Sequence, residues 1–143
     1  MRAHKSLSIL ALVLALGAGV VFFAGTGKSS SNNTIPVSVK VPELSFQAAT
    51  GKKAFDANCA ACHGVNAAGT QAGPPLIHTI YNPGHHSDAA FYRAVKYGVP
   101  SHHWKFGNMP PLPSVSDAQV RFIVRYIREL QTANGITYKK HMM

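Results

Sequence analysis

Acidic residues are scarce in this chain, which carries 5 Asp and Glu against 14 Lys and Arg for a formal net charge of +9. Cysteine is scarcer still, with only Cys59 and Cys62. Two cysteines exclude a multi-disulfide scaffold, and a bond between this pair would close a loop too short to restrict the unfolded chain much. The lack of a second cysteine pair argues against structural zinc, which prefers four ligands in two spaced pairs. No stretch alternates apolar and polar residues as a half-buried strand would, and no internal repeat recurs. Sheet and repeat architectures are therefore set aside.

A long apolar run is present, at residues 7–24, where Ser8 is the only strongly polar side chain. As a helix it would span roughly 27 Å, close to the hydrocarbon thickness of a bilayer. The run is long for a signal sequence, and the small-residue patterns near its end make poor cleavage sites. Residues 1–25 are accordingly expected to form a retained, single-pass transmembrane helix, with a cleaved signal as the alternative. Arg2 and Lys5 precede the run, so the positive-inside rule leaves the remainder outside the cytoplasm. The expected location is a bacterial inner membrane with the domain facing the periplasm, or the soluble periplasm after cleavage. Export removes nucleic acid as a target for the basic charge, leaving a membrane surface, an acidic protein partner or simple solubility.

Residues 26–45 are rich in Ser, Asn, Thr, Pro and Val without a helical stripe, and read as a flexible linker. Residues 46–135 form the candidate domain and 136–143 a basic, solvated tail. Three helices are expected in the domain. Thr50 can cap one that aligns Gly51, Phe55 and Cys59. Ser87 can cap a second over 88–97, with Gly98 as its stop. The third opens on the capping box Ser116-Asp-Ala-Gln119, carries Val120, Ile123, Val124 and Ile127 as a stripe, and ends at Asn134-Gly135. Long Gly- and Pro-rich loops separate them, which makes the domain all-α. Three short helices bury too little to offset the chain entropy of such loops, so a large apolar cofactor is expected at the centre.

Cys59-Ala60-Ala61-Cys62-His63 is C-x-x-C-H, the attachment pattern for c-type haem. Two thiols a helical turn apart can each form a thioether with one haem edge, which brings His63 beneath the iron as an axial ligand. A thioredoxin-like dithiol would need a βαβ setting that the chain lacks.

With Gly51-x3-Phe55-x3-Cys59-x2-Cys62-His63, the Gly-Pro-Pro-Leu loop at 73–76, Asn108-Met109-Pro110 and a terminal aromatic-bearing helix, the chain resembles class I cytochrome c over residues 46–132. The resemblance implies a three-helix domain wrapped around one covalent haem c. It also implies that Gly51 lets the first helix cross the last near Tyr126, that the Pro75 carbonyl accepts from His63, and that Met109 supplies the sixth ligand. Met109 lies in an irregular, Pro-bounded loop where no helical stripe explains it. His102 and His103 on the same loop are its rivals. His78, His85 and His86 add to an unusual histidine density, but their spacing matches no defined metal set; solvated positions are the reading, with a secondary copper or zinc site as the alternative. Trp104 is expected to line the haem pocket or to pack in the core.

Filled axial positions restrict the chemistry to single-electron exchange rather than catalysis. The expected function is electron transfer between membrane-associated redox proteins, such as an oxidase or dehydrogenase with an acidic docking surface. Alternatives are a haem c subunit of a larger oxidoreductase and a haem enzyme or ligand sensor.

Overall fold

The computed structural model describes residues 36–140. The expected membrane anchor at 7–24 and the first part of the linker lie outside the described residues. Among those described, no helix is long and apolar enough to cross a membrane. The described residues form four helices: α1 (Phe46–Asn58), α2 (Ala60–His63), α3 (Asp88–Tyr97) and α4 (Asp117–Ala133), with short 3-10 turns at Val65–Ala67 and Thr79–Tyr81. No strand is found among the described residues, only an isolated antiparallel bridge between Val99 and Met109.

Helix α4 forms where its local signals place it. The Ser116 hydroxyl accepts from the Gln119 N–H at 3.3 Å, while the Gln119 side-chain oxygen accepts from the Ser116 N–H at 3.0 Å, closing the capping box. Val120, Ile123, Val124 and Ile127 are buried as one face, joined by Tyr126 and Leu130. Helix α3 likewise starts after Ser87 and stops at Gly98, whose φ of +73° a side chain would resist.

Helix α1 begins earlier than expected. Thr50 lies inside it, with its hydroxyl on the Phe46 carbonyl at 2.9 Å, and Ser45 is the cap. Ser45 is itself held from a distance, because Glu129 on α4 accepts from its N–H at 3.0 Å and from its hydroxyl at 2.7 Å. Arg125 completes the site by donating to the same carboxylate at 2.7 Å. Burial alone would raise the pKa of Glu129, but the Ser45 and Arg125 hydrogen bonds outweigh it and hold the carboxyl below its ordinary value. A depressed carboxylate pKa contributes stability above the unfolded-state value and loses it as pH falls through the folded one. Glu129→Gln should therefore cost about 1–3 kcal/mol at pH 7 in denaturant titrations. The gap from the parent protein should narrow at pH 3; an equal gap at both pH values would show that the charge is irrelevant.

The α1–α4 crossing centres on Gly51. A Cβ there would lie 1.9 Å from the Phe122 carbonyl oxygen. Phe55, four residues on, packs its ring against Tyr126 at 5.6 Å, and both side chains are fully buried. This is the close approach that the family resemblance implied for Gly51.

Two segments make contacts with the domain that the sequence reading does not include. Residues 36–45, expected as flexible linker, are tied to the domain: the Val37 N–H bonds the Ala68 carbonyl at 2.8 Å, and Asn134 brackets Lys40, accepting from its N–H at 2.9 Å and donating to its carbonyl at 2.8 Å. Residues 136–140, expected as part of a solvated tail, are exposed from Thr137 to Lys140 but touch the domain at two points. Ile136 is buried, and the Lys139 N–H reaches the Asn82 side-chain oxygen at 3.3 Å. In both cases a side chain remote in sequence satisfies the backbone, which composition does not register.

Candidate functional site

Between α1, α3, α4 and the two long loops lies a largely apolar cavity of about 690 Å³. That volume lies within the range typical of cofactor sites. Phe91 and Val95 of α3, Val99 and Phe106 of the second loop, and Val120 and Ile123 of α4 supply much of its wall.

The C-x-x-C-H run sits where α1 breaks into α2. Cys59 leaves helical geometry at φ −123°, yet its N–H still bonds the Phe55 carbonyl at 2.8 Å, and its own carbonyl accepts from His63 at 2.9 Å. Cys59 and His63 line the cavity. Cys62, one turn on, is exposed and is not among the lining residues. Burial, assisted by the neighbouring Cys62, pushes the Cys59 thiol up to about 11. That is opposite to the lowered pKa of a redox-active dithiol.

His63 is oriented by its second nitrogen. Nδ1 lies 2.8 Å from the Pro74 carbonyl oxygen. A carbonyl only accepts, so Nδ1 carries the proton and Nε2 keeps an available lone pair. Burial lowers the pKa of this imidazole, and the Pro74 carbonyl offsets part of the effect. The acceptor is thus Pro74 and not Pro75. The Pro75 ring is fully buried, and the Leu76 N–H bonds the Ala67 carbonyl at 2.9 Å, so the chain presents the preceding carbonyl to His63.

The loop around Pro74 is pinned. The Thr70 hydroxyl donates to the Cys62 carbonyl at 2.6 Å, and the Thr70 N–H bonds the Gly73 carbonyl at 3.0 Å. Gly73 passes so close to Cys62 that a Cβ would lie 2.9 Å from the Cys62 carbonyl oxygen.

Met109 lines the same cavity and is half-buried. Its backbone pairs with Val99 in both directions, at 2.9 and 3.0 Å. Gly98 permits this approach, since a Cβ there would lie 2.4 Å from the Met109 carbonyl oxygen. Sequence reading identified Gly98 only as a helix stop, and its second role carried no local signal.

The rival histidines line the same cavity, but each has a ring nitrogen engaged by another partner. His102 and His103 are exposed. Nδ1 of His102 lies 2.8 Å from the Pro100 carbonyl, and Nε2 of His103 lies 3.2 Å from Nε2 of His85. Trp104 lines the cavity, with its indole N–H donating to the Tyr81 hydroxyl at 3.1 Å. Burial pushes the Tyr81 phenol up to about 12, with the Trp104 hydrogen bond acting in the other direction.

An apolar cavity walled by an imidazole with a free nitrogen, a thioether and a thiol, with a second thiol one turn away, fits a covalent haem. A family model for cytochrome c matches residues 48–131.

The chain belongs to the cytochrome c family. No curated protein and no solved structure gives a significant match to it. As a cytochrome c it binds covalent haem c and works by haem-based electron transfer, as a carrier rather than an enzyme. In this cytochrome the α1–α4 crossing fixes the C-x-x-C-H run from behind, the Pro74 loop sets the imidazole, and the Val99–Met109 bridge holds the thioether on the cavity wall.

Proposed function

We propose that this cytochrome passes single electrons between redox proteins at the outer face of a bacterial inner membrane, tethered by an N-terminal helix at 7–24. Cys59 and Cys62 would form the thioethers, and His63 and Met109 would supply the ligands to the iron. The observation that carries this assignment is that the free nitrogen-bearing imidazole of His63 and the side chain of Met109 line one apolar cavity with Cys59. When bound, the haem supplies a reversible Fe(III)/Fe(II) couple. The chain's residues do the rest. Pro74 fixes the imidazole and raises its basicity, Met109 would supply the second ligand to the iron, and the apolar wall limits water.

The low count of acidic groups suits partners with acidic docking surfaces, which would speed encounter. The apolar run behind Arg2 and Lys5 supports the tether and its orientation. The test is an optical spectrum of the matured protein, oxidised and reduced. We expect a c-type spectrum that survives acid-acetone extraction, with the weak long-wavelength band of an iron–thioether bond when oxidised. A covalent spectrum without that band would remove Met109 from the iron, and the absence of haem would overturn the whole assignment.

A further inference from the structure

The cavity and its C-x-x-C-H run leave four histidines without a role. The fold gathers them from two loops far apart in sequence: His85 and His86 before α3, and His102 and His103 after it. One ring nitrogen from each of His85, His86 and His103 lies within 4.8 Å of the other two. One pair, Nε2 of His85 and Nε2 of His103, is separated by 3.2 Å. Two nitrogens bound to one ion at about 2.0–2.1 Å with tetrahedral angles sit roughly 3.3–3.4 Å apart, so this spacing is already that of one edge of a coordination tetrahedron.

The third imidazole is preset for the same task. Nδ1 of His86 lies 2.8 Å from the Ile80 carbonyl oxygen and must donate to it, which leaves Nε2 with its lone pair. Metal-bound histidines characteristically have such a carbonyl behind them. The carbonyl of His86 is held in turn by Arg128, whose Nη2 lies 2.5 Å away. Nearby His78 provides a contrast within the same turn. Its Nδ1 accepts from the Ile80 N–H at 3.3 Å, so that lone pair is in use and the proton of the neutral ring sits on Nε2. Cluster membership therefore separates by hydrogen-bond role and not by proximity in sequence.

We infer that His85, His86 and His103 form a second metal site, for a divalent transition ion of the zinc and copper(II) class, on the rim of the haem cavity. Among the described residues no carboxylate joins the three imidazoles, which disfavours calcium and magnesium, since both require oxygen ligands. Imidazole-only sets suit zinc and copper. Three protein ligands leave a fourth position to water, and the His102 ring lies 4.1 Å from that of His103.

The two loops also explain why the spacing was unrecognisable. The His-His pairs are individually adjacent residues, which cannot chelate in the manner of an i, i+4 helical pair. Only the fold opposes one pair to the other.

The test is isothermal titration of zinc sulfate into the full-length ferric haem protein, in a non-chelating buffer. One ion per chain is expected, with micromolar or tighter affinity. His85→Ala and His103→Ala should each weaken binding at least tenfold, and His78→Ala should leave it unchanged. All three side chains are partly or fully solvent-facing, so folding is expected to survive, and the haem spectrum of each variant provides the check. An unaltered affinity in both His85→Ala and His103→Ala, or no saturable binding by the parent protein, would overturn the site. So would a changed haem spectrum in His103→Ala before zinc is added, because that imidazole would then belong to the iron. The last result would also displace Met109, whereas loss of zinc binding alone would leave the haem assignment intact.

Discussion

Gly51→Ala should destabilise the domain by about 3 kcal/mol or prevent its folding. Helix propensity alone gives the opposite sign, since alanine in a helix interior is favoured over glycine by about 1 kcal/mol. The packing decides otherwise. A Cβ at position 51 would stand 1.9 Å from the Phe122 carbonyl oxygen and 2.4 Å from its carbon. Both atoms belong to the backbone of α4 and have no rotamer through which to escape. Relief requires α1 and α4 to separate, which pulls apart the contact between Phe55 and Tyr126 and opens space in a close-packed core. Chemical unfolding of the purified variant, with haem attached, reads the result. Stability equal to or above that of the parent would mean that the helices slide with little penalty.

The second large effect concerns the iron. Met109→Ala should lower the midpoint potential, by on the order of 0.2 V, as a thioether that favours the reduced state is lost. It should also admit carbon monoxide to the reduced protein, whereas the parent is expected to exclude it. Alanine at 109 retains the backbone pairing with Val99, so the loop itself has no reason to rearrange. A variant with unchanged potential and unchanged ligand exclusion would show that another residue holds the sixth position.

The parts of the fold that could be read from the sequence are those whose causes are local. The capping box at Ser116 and Gln119, the Ser87–Gly98 bounds of α3 and the C-x-x-C-H run are all written within a few residues. The start of α1 was misread because its buried face is made of Ala48, Gly51 and Phe55, two of them too small to register as an apolar stripe. Its true cap, Ser45, depends on Glu129, 84 residues away. The same cause lies behind the docked segments at 36–45 and 136–140, which rely on Asn134 and Asn82. At the site, the choice between adjacent prolines was beyond any pattern. Either carbonyl could face His63 until the Leu76–Ala67 hydrogen bond set the direction of the chain. The histidine cluster needed the fold outright.

The pinned loop beside His63 bears on speed as much as on position. Thr70, Gly73 and Pro74 are locked to the Cys62–His63 turn by hydrogen bonds and by close backbone contact, and the consecutive prolines 74 and 75 fix two φ angles of the loop. A wall built this way has little room to rearrange when the charge inside it changes by one. The nuclear reorganisation that accompanies each gain or loss of an electron should be correspondingly small, which would leave the exchange rate to distance and driving force.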